Sequence, residues 1–543
     1  MNAVEQYASN TDSGYRCAVQ SCTRAPGPHP AIPARRDLMV VTRKAGTERN
    51  ESLHMAIRNA VQLITYPDSL GGDLAALSKL LSRYYRGALG GIHLLPFYPS
   101  TADRGFAPTT YERVDPSFGS WEDVASLREH FQLTVDYMIN HISRQSEFFQ
   151  DFVQNHERSR FADMFVRFHE FWPGGEPTRE QLDAVYKRKP RDPYVEVSFE
   201  DGTSERVWCT FDEEQIDLDW GTQTTKRVAS EQLRGLAERG VAMVRLDAFA
   251  YATKRPGTDC FFLEPEVWEI LGYVRDQLAP YGVELLPELH EHYSYQLELA
   301  DHGYWVYDFA LPMLLLHTLY EGNARNLRYW FHICPRYQMT TLDTHDGIGV
   351  VDVRDLMSDE QIEATKQRLF SVGAKVKRKY NAPEYNNLDI YQLNCTYFSA
   401  LGNDPDAYLL ARAVQFFWPG VPQVYYVGML AGENDIEKVE QTKVGRNINR
   451  HDYSVEEVES QLERPVVRRL RNLMRFRSQY PAFEGAVACP ADAADELRLR
   501  WTHGESWAEL SADLSSYRFT IRYIDRGDGV TRELDLDDDA RDY

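Results

Sequence analysis

Eight short runs of apolar and β-branched residues recur along the chain, each separated from the next by a longer segment of helical character. They occupy residues 61–66, 91–97, 133–141, 241–247, 283–288, 304–308, 339–343 and 422–427. Strands that are apolar on both faces and alternate with helices are typical of a buried parallel sheet. Eight such βα units close most naturally into a barrel, so the sequence predicts an α/β fold with a (β/α)8 TIM barrel.

The segment between the fourth and fifth runs shows the expected helical pattern. Val267, Ile270, Leu271, Val274 and Leu278 are spaced by three, one, three and four residues. This spacing places all five side chains on one face of a helix, which we expect to pack against the sheet.

The first 55 residues differ from the rest of the chain. Residues 25–33 contain four prolines within nine positions, a composition that favours neither a helix nor an inner strand. We expect residues 1–55 to form a disordered leader that precedes the barrel.

The barrel is expected to span residues 56–480, with two long insertions. Residues 146–212 and 350–395 are too long for simple βα connections, and we expect both at the C-terminal side of the barrel, where active-site loops lie. Alternating apolar residues beyond position 480 predict a small antiparallel β domain over residues 481–543.

Charge and cysteine usage narrow the function classes. A net charge of −22 opposes binding to nucleic acids and to anionic membranes, so we expect neither as a partner. The seven cysteines are scattered without a CxxC pair, and no apolar run reaches the length of a membrane span. These features predict a reduced, cytoplasmic protein, and they leave its oligomeric state open.

Charged residues at the ends of the fourth and fifth runs are candidates for catalysis. Arg245 and Asp247 are two positions apart on a strand, so both side chains point to one face. Arg245 would lower the pKa of Asp247 and keep it ionised for attack on an anomeric carbon, although a purely structural ion pair would look the same. Glu288 follows Leu285 and Leu286, and apolar neighbours would raise its pKa and keep a proton available.

The end of the seventh run adds a third carboxylate. Asp346 follows His345, and Gly347 and Gly349 would let the backbone approach neighbouring groups closely. His290 lies two positions after Glu288, on the same side of the strand. One carboxylate can attack, one can exchange a proton, and Asp346 can bind sugar hydroxyl groups.

These segments are similar to the α-amylase superfamily, glycoside hydrolase family thirteen, over residues 60–480 in order. Within this superfamily the sequence most resembles the sucrose phosphorylase subfamily, and within that subfamily it most resembles the sucrose 6-phosphate phosphorylases. The matching stretches are residues 103–106 (DRGF), 139–141 (INH), 343–349 (DTHDGIG), 417–427 (FWPGVPQVYYV), 430–435 (LAGEND) and 445–451 (GRNINRH).

The resemblance implies roles for the matched positions. Asp247 would be the nucleophile, Glu288 the acid/base and Asp346 the residue that clamps the substrate. The residues expected to bind substrate are Asp103, Phe106, His141, Arg245, Tyr251, His290, His345 and Arg446. Phe249, Ala250, Glu291, His292 and Asn447 depart from the family pattern, which puts acceptor specificity in doubt rather than reaction class.

A phosphorylase must bring a phosphate close to its carboxylates. One unit charge at ~5 Å from another costs about 3 kcal/mol at an effective dielectric constant of ~20, so basic residues must offset the repulsion. Lys187, Arg188, Lys189 and Arg191 form a basic segment in the first insertion, where the resemblance implies an anion-binding arginine. An ordinary solvated basic turn would have the same composition.

Within this group, Arg188, Lys189 and Arg191 are the expected phosphate or acceptor ligands, together with Tyr391 and Gln392 after the second insertion. The dense basic segment favours a phosphorylated acceptor, whereas the Tyr391–Gln392 pair resembles the enzymes that act on plain sucrose.

The expected reaction is the retaining conversion of sucrose 6-phosphate and phosphate into α-D-glucose 1-phosphate and fructose 6-phosphate. Phosphorolysis of unphosphorylated sucrose, another α-glucoside phosphorylase, a hydrolase and a transglucosidase remain alternatives. The spacing of His290, Glu291 and His292 fits no common zinc motif. We therefore expect no metal and no cofactor, with inorganic phosphate as co-substrate.

Overall fold

The eight predicted strands form one parallel sheet in the computed structural model, which describes residues 57–189, 191–377 and 391–538. The strands are β1 (Gln62–Thr65), β2 (Gly91–Leu94), β3 (Gln132–Met138), β4 (Met243–Asp247), β5 (Glu284–Pro287), β6 (Val306–Asp308), β7 (Gln338–Thr340) and β8 (Val421–Tyr425). Their order in the sheet is β6-β7-β8-β1-β2-β3-β4-β5, and every recorded pair is parallel. The predicted (β/α)8 barrel is confirmed.

The register between β3 and β4 brings the ends of these strands together. Asp136 on β3 is the partner of Arg245 on β4, and Met138 is the partner of Asp247. Because the two residues are register partners and side chains alternate between the faces of a sheet, the side chains of Asp136 and Arg245 point to the same face. The pairing therefore sets one acidic and one basic residue side by side below the rim of the barrel.

Helices follow the strands and cover the outside of the sheet. Their bounds are Leu74–Tyr84, Trp121–Arg128, Gln223–Glu238, Glu266–Leu278, Tyr293–Asp301, Leu311–Glu321, Arg325–Ile333, Asp359–Ser371, Pro405–Phe417, Val455–Leu462 and Pro465–Gln479. The predicted apolar stripe of Glu266–Leu278 is confirmed, because its five residues are all buried. Side-chain caps fix several starts, among them Asp73, Ser120 and Thr222.

The first insertion has its own secondary structure and a small aromatic core. It contains the helices Glu147–Asn155, Phe168–Phe171 and Arg179–Ala184 and the hairpin strands Tyr194–Ser198 and Ser204–Trp208. Phe168, Trp172 and Trp208 pack together as buried side chains. The strand His141–Ser143 pairs with Gln215–Asp217 and ties the insertion to the end of β3.

The second insertion folds partly as an antiparallel sheet. The strand Gln392–Asn394 lies between Ile348–Gly349 and Lys375–Lys377. The rest of the predicted excursion includes residues 378–390, which lie outside the described residues. The expected leader over residues 1–55 also lies outside them.

Five antiparallel strands follow the barrel. They are Ala486–Ala488, Glu496–His503, Ser506–Asp513, Arg518–Ile524 and Thr531–Glu533. The indole nitrogen of Trp501 donates to the carbonyl of Phe417 at 2.8 Å, so this sheet packs against a barrel helix. Among the helices that the structure describes, none combines the length and apolarity needed to cross a bilayer.

Candidate active site

Three carboxylates meet at the C-terminal rim of the barrel. Asp247 ends β4, Glu288 follows β5, and Asp346 lies in the turn after β7. The guanidinium of Arg245 joins two of them, with Nη1 3.2 Å from Asp247 Oδ1 and Nη2 3.8 Å from Glu288 Oε1. Ligand atoms of Glu288, His290 and Asp346 lie within 4.8 Å of one another. The structure therefore gathers the three predicted carboxylates around one site.

Arg245 is fixed from below by a buried relay of polar side chains. Asp136 accepts a hydrogen bond from Arg245 through Oδ1 and lies 2.8 Å from His93 Nε2 through Oδ2. The second nitrogen of His93 lies 3.3 Å from the hydroxyl of Tyr307. Burial would raise the pKa of Asp136, but Arg245 and His93 lower it to about 2. Asp136 is therefore an anion that anchors Arg245.

This relay was not predicted from the sequence. His93, Asp136 and Tyr307 come from three different strands, and none of them stands in a motif with a spacing of its own. The only available signal was that a histidine and an aspartate occupy otherwise apolar strands, where a polar side chain needs a partner.

The expected low pKa of Asp247 is wrong. Burial raises the pKa of Asp247 to about 8; Arg245 lowers it, and the negative charges of Glu288, Asp136 and Asp346 act together with burial to raise it. The single guanidinium of Arg245 interacts with Asp136 and Glu288 as well as with Asp247. The Asp247 carboxyl must therefore lose its proton before it can attack an anomeric carbon, as a retaining mechanism requires.

The backbone directly after Asp247 has an unusual conformation. Ala248 is left-handed, with φ 55° and ψ 30°, which costs on the order of 1 kcal/mol for a residue with a Cβ. Its N–H donates to Glu288 Oε2 at 3.3 Å. This donor fixes the second oxygen of Glu288 while the other faces Arg245 and His290.

An aromatic surface flanks the carboxylates on the side of Asp346. The rings of His345 and Phe106 stack with centroids 5.2 Å apart and an angle of 8°, and His345 Nε2 lies 3.5 Å from Asp346 Oδ2. Burial lowers the pKa of His345 to about 3, so this imidazole is neutral near pH 7. His141 Nε2 lies 2.9 Å from the carbonyl of Phe106. The predicted glucose-binding residues Phe106, His141 and His345 thus form one surface.

The turn that carries Asp346 is held by residues that the sequence analysis missed. Asn449 donates to the carbonyls of Thr344 and Asp346 at 3.1 and 3.0 Å. Arg450 donates to the carbonyl of His345 at 2.9 and 2.7 Å. The matched stretch 445–451 contains both residues, but a motif alone does not reveal which of its polar side chains face the protein.

Two other predicted residues, Arg446 and Asp103, lie in short 3-10 segments. Arg446 is half-buried in the short 3-10 helix Gly445–Asn449, which packs against the strand that holds Gln392. Asp103 begins the 3-10 turn Asp103–Gly105, and its side chain lies outside the described part of the chain. Their expected roles in binding substrate remain predictions.

The predicted close approach at the two glycines is confirmed. A Cβ on Gly349 would lie 2.0 Å from Asp352 Oδ2, and one on Gly347 would lie 2.9 Å from the Cβ of Gln392. Any larger residue would displace these neighbours.

His290 packs tightly beside the acid/base candidate. Its ring stacks on Phe309 at 3.6 Å, and its Nδ1 lies 3.7 Å from Asp352 Oδ2. His290, Glu288 and Asp346 are of residue types that bind metal ions, and they lie close enough together to share a cation. The same atoms line the sugar site, and the expectation that no metal takes part remains a prediction.

Arg188 is the basic residue that packs against Tyr251 and Tyr391, and the Tyr391 ring lies 5.9 Å from that of His290. The Cζ of Arg188 is 4.3 Å from the ring centroid of Tyr391 and 5.7 Å from that of Tyr251. Its Nη1 is buried and has no hydrogen-bond partner among the described residues. A buried guanidinium nitrogen without an acceptor is poised to bind an oxyanion. Lys189 lines the same small cavity as Arg188 and Tyr251.

Two other members of the basic segment are used inside the insertion. Arg191 donates to the carbonyls of Asp192, Tyr194 and Phe211 at 2.9 to 3.1 Å, although it also lines the cavity of Arg188 and Lys189, and its expected role in binding phosphate remains a prediction. Lys187 lies 2.9 Å from Asp192 Oδ1 and 3.6 Å from Asp183 Oδ1. Lys187 is thus paired with carboxylates, whereas Arg191 donates to backbone carbonyls, and both arrangements depend on the fold of the insertion.

Comparisons with known proteins agree with this geometry. Residues 46–277 match the model of the alpha-amylase catalytic domain. Sucrose phosphorylase of Streptococcus mutans is 54% identical over 87% of this chain and 99% of its own length. Sucrose 6(F)-phosphate phosphorylase of Thermoanaerobacterium thermosaccharolyticum is 43% identical over 87% of this chain and 98% of its own. The crystal structure of sucrose 6F-phosphate phosphorylase from Thermoanaerobacter thermosaccharolyticum has a TM-score of 0.85 at 42% identity, covering 88% of this chain and 99% of that one.

Proposed function

The chain belongs to the sucrose phosphorylase subfamily of the α-amylase family, glycoside hydrolase family thirteen, and we propose that it cleaves sucrose by phosphorolysis with net retention at the anomeric carbon. The products are α-D-glucose 1-phosphate and fructose. The observation that carries this proposal is the single guanidinium of Arg245 in contact with both Asp247 and Glu288. It keeps a nucleophile and an acid on adjacent strand ends.

The first half-reaction breaks the glycosidic bond. Glu288 donates its proton to the bridging oxygen while Asp247 attacks the anomeric carbon from the opposite face. Fructose leaves with that proton, and glucose remains as a β-glucosyl ester of Asp247. Asp346 and neutral His345 are placed to hold glucose hydroxyl groups, and Phe106 offers an apolar surface beside them.

The second half-reaction transfers glucose to phosphate. A phosphate oxygen attacks the anomeric carbon from the side that fructose vacated, and the Glu288 carboxylate takes up the phosphate proton. The ester bond to Asp247 breaks, so both carboxyl groups return to their starting state. Two inversions give net retention.

Phosphate needs a positive partner close to this ring of acids. Arg188 supports the assignment, because its buried Nη1 lacks an acceptor within residues 57–189, 191–377 and 391–538 and its guanidinium packs on the rings of Tyr251 and Tyr391. The forked donors of arginine suit an oxyanion that arrives after fructose has left.

We propose sucrose rather than sucrose 6-phosphate as the preferred substrate. The expectation of a phosphorylated acceptor rested on the resemblance to sucrose 6-phosphate phosphorylases and on the density of the basic segment, yet Lys187 and Arg191 have acceptors within the insertion. The 54% identical relative bears the name sucrose phosphorylase. Sucrose 6-phosphate is the second candidate, favoured by Arg188 and Lys189 around one cavity and by the relative at 43% identity.

The test is a product analysis in which sucrose and sucrose 6-phosphate are offered separately, each with inorganic phosphate. We expect NMR to detect α-glucose 1-phosphate and kcat/KM to be at least about tenfold higher for sucrose. A higher kcat/KM for the 6-phosphate would reverse the substrate assignment. Free glucose at a rate that does not depend on phosphate would instead identify a hydrolase and refute the proposal.

The role of Arg188 is tested with Lys187 as a matched control, because both are basic residues of the same segment. Arg188→Ala should raise the KM for phosphate by about tenfold or more, since it removes a charge-assisted hydrogen bond. Lys187→Ala should change this KM less than about twofold. Equal effects of the two variants would contradict a specific role for Arg188.

A further inference from the structure

A hydrogen bond links the basic segment to the loop that follows the acid/base residue. Glu291 Oε1 accepts from the hydroxyl of Tyr186 at 2.8 Å. Glu291 is half-buried and stands three positions after Glu288, where the sequence departs from the family pattern. Tyr186 stands two positions before Arg188, so the bond joins the two sides of the acceptor site.

Tyr186 is itself held firmly in place. Its backbone N–H donates to the carbonyl of Asp259 at 2.8 Å, and its ring packs on Phe261 with centroids 4.8 Å apart. The ring of Tyr251 lies 6.0 Å away on the same side. The hydroxyl of Tyr186 is therefore a fixed donor that determines where the carboxylate of Glu291 can lie.

The charge of Glu291 acts on the acceptor side of the site. Burial raises the pKa of Tyr251, Arg188 lowers it, and the negative charge of Glu291 raises it again. The pKa of Tyr186 is raised by burial and by Glu291, and lowered by Arg188. The negative charge of Glu291 therefore raises the pKa of both Tyr251 and Tyr186, whereas the positive charge of Arg188 lowers the pKa of both.

We propose that the Tyr186–Glu291 hydrogen bond sets the anion affinity of the acceptor site. The bond holds the Glu291 carboxylate away from Arg188, so that the guanidinium stays available to an oxyanion. The fixed negative charge still opposes a second anion, and it disfavours a phosphorylated substrate relative to a neutral one. Glu291 is in this sense a specificity-determining residue, and Tyr186 is a positioning residue that acts through it. The inference rests on the proposed function.

The proposal predicts opposite effects for two conservative variants. Glu291→Gln keeps an oxygen that can accept from Tyr186 and removes the charge, so the KM for phosphate should fall about three- to tenfold. Its kcat/KM for sucrose 6-phosphate should rise by a similar factor relative to that for sucrose. Tyr186→Phe frees the carboxylate to pair with Arg188, so the KM for phosphate should rise about threefold or more.

The double variant separates this mechanism from a general loss of structure. Tyr186→Phe in the Glu291→Gln background has no carboxylate to release, so the KM for phosphate should stay near that of Glu291→Gln. Additive effects of the two changes would overturn the proposal. So would a phosphate KM within about twofold of the parent for Glu291→Gln.

Asp301→Asn serves as the charge control, because it removes one carboxylate from the exposed end of the following helix, Tyr293–Asp301. It should leave the KM for phosphate and the substrate ratio unchanged. An equal effect of Asp301→Asn would show that net charge alone is responsible and would refute a specific role for Glu291.

Sulfate keeps the inference testable if the proposed function fails. The probe is inhibition by sulfate of the hydrolysis of α-glucosyl fluoride, which needs the nucleophile but no phosphate. Glu291→Gln should lower the inhibition constant of sulfate about three- to tenfold, and Tyr186→Phe should raise it. Unchanged inhibition in both variants would reject the anion mechanism whatever the acceptor of the natural reaction.

Discussion

Arg412 Nη2 lies 2.7 Å from both carboxylate oxygens of Asp343 inside the barrel wall. Both side chains are almost fully buried, at 0% and 3% exposure. The remaining donors of Arg412 reach the hydroxyl of Tyr408 at 2.8 and 3.0 Å and the amide oxygen of Gln415 at 2.9 Å. Asp343 begins the turn that carries His345 and Asp346, so this ion pair anchors the sugar-binding side of the site to a helix.

Breaking this pair from one side should destabilise the protein strongly. Arg412→Met leaves the carboxylate of Asp343 buried without its partner, so we expect a loss of about 3–5 kcal/mol in the free energy of unfolding. Urea unfolding followed by circular dichroism measures it. The double variant Arg412→Met/Asp343→Leu removes both charges and should recover much of the loss. A double variant less stable than Arg412→Met would contradict this explanation.

Two substrates with different leaving groups, sucrose and α-glucosyl fluoride, distinguish the roles of Asp247 and Glu288. Fluoride needs no proton to depart. Glu288→Gln should therefore lower kcat with sucrose about 100-fold or more, but it should lower the rate of glucosylation by α-glucosyl fluoride far less. Asp247→Asn should lose activity with both substrates, because no ester can form. Stopped-flow fluoride release reports the first step directly. Equal losses with both substrates in Glu288→Gln would contradict its assignment as the acid.

The raised pKa of Asp247 predicts a pH dependence of stability. The folded pKa of about 8 lies above the unfolded value near 3.8, so the folded state binds more protons between these values. The contribution of this carboxyl is complete below about pH 4 and is lost as the pH rises toward 8, by up to about 1.4 kcal/mol per pH unit. Asp247→Asn should therefore become more stable relative to the parent from pH 5 to 8. A constant difference over this range, measured by denaturant unfolding, would exclude the raised pKa.

The sequence was sufficient for the barrel and for the three carboxylates, because both depend on local patterns. Apolar runs mark buried parallel strands, and the end of each strand fixes which polar residues reach the rim. Asp247, Glu288 and Asp346 follow from this rule without knowledge of the contacts between strands.

The rest depends on partners that are remote in sequence. Burial of Asp247 is the main reason why its pKa is raised rather than lowered, and the nearby charges of Glu288, Asp136 and Asp346 add to this effect. Arg191 donates to the carbonyls of Tyr194 and Phe211 in the first insertion, and its place in a basic segment does not reveal these acceptors. Local spacing carries no information about such pairs.

His93 offers a test of the relay below Arg245, because it contacts Asp136 and Asp136 in turn accepts a hydrogen bond from Arg245. His93→Leu leaves Asp136 Oδ2 without its partner, which costs about 1–3 kcal/mol of stability and loosens Arg245. We expect kcat to fall about tenfold with the KM for sucrose within about twofold, because His93 is placed to act through Arg245 rather than on the sugar. Tyr307→Phe removes a hydroxyl that lies near the other ring nitrogen and also interacts with Arg245, but it keeps the His93–Asp136 contact, so its effect should be milder. A defect of His93→Leu confined to KM would show that the relay shapes the sugar pocket instead of orienting Arg245.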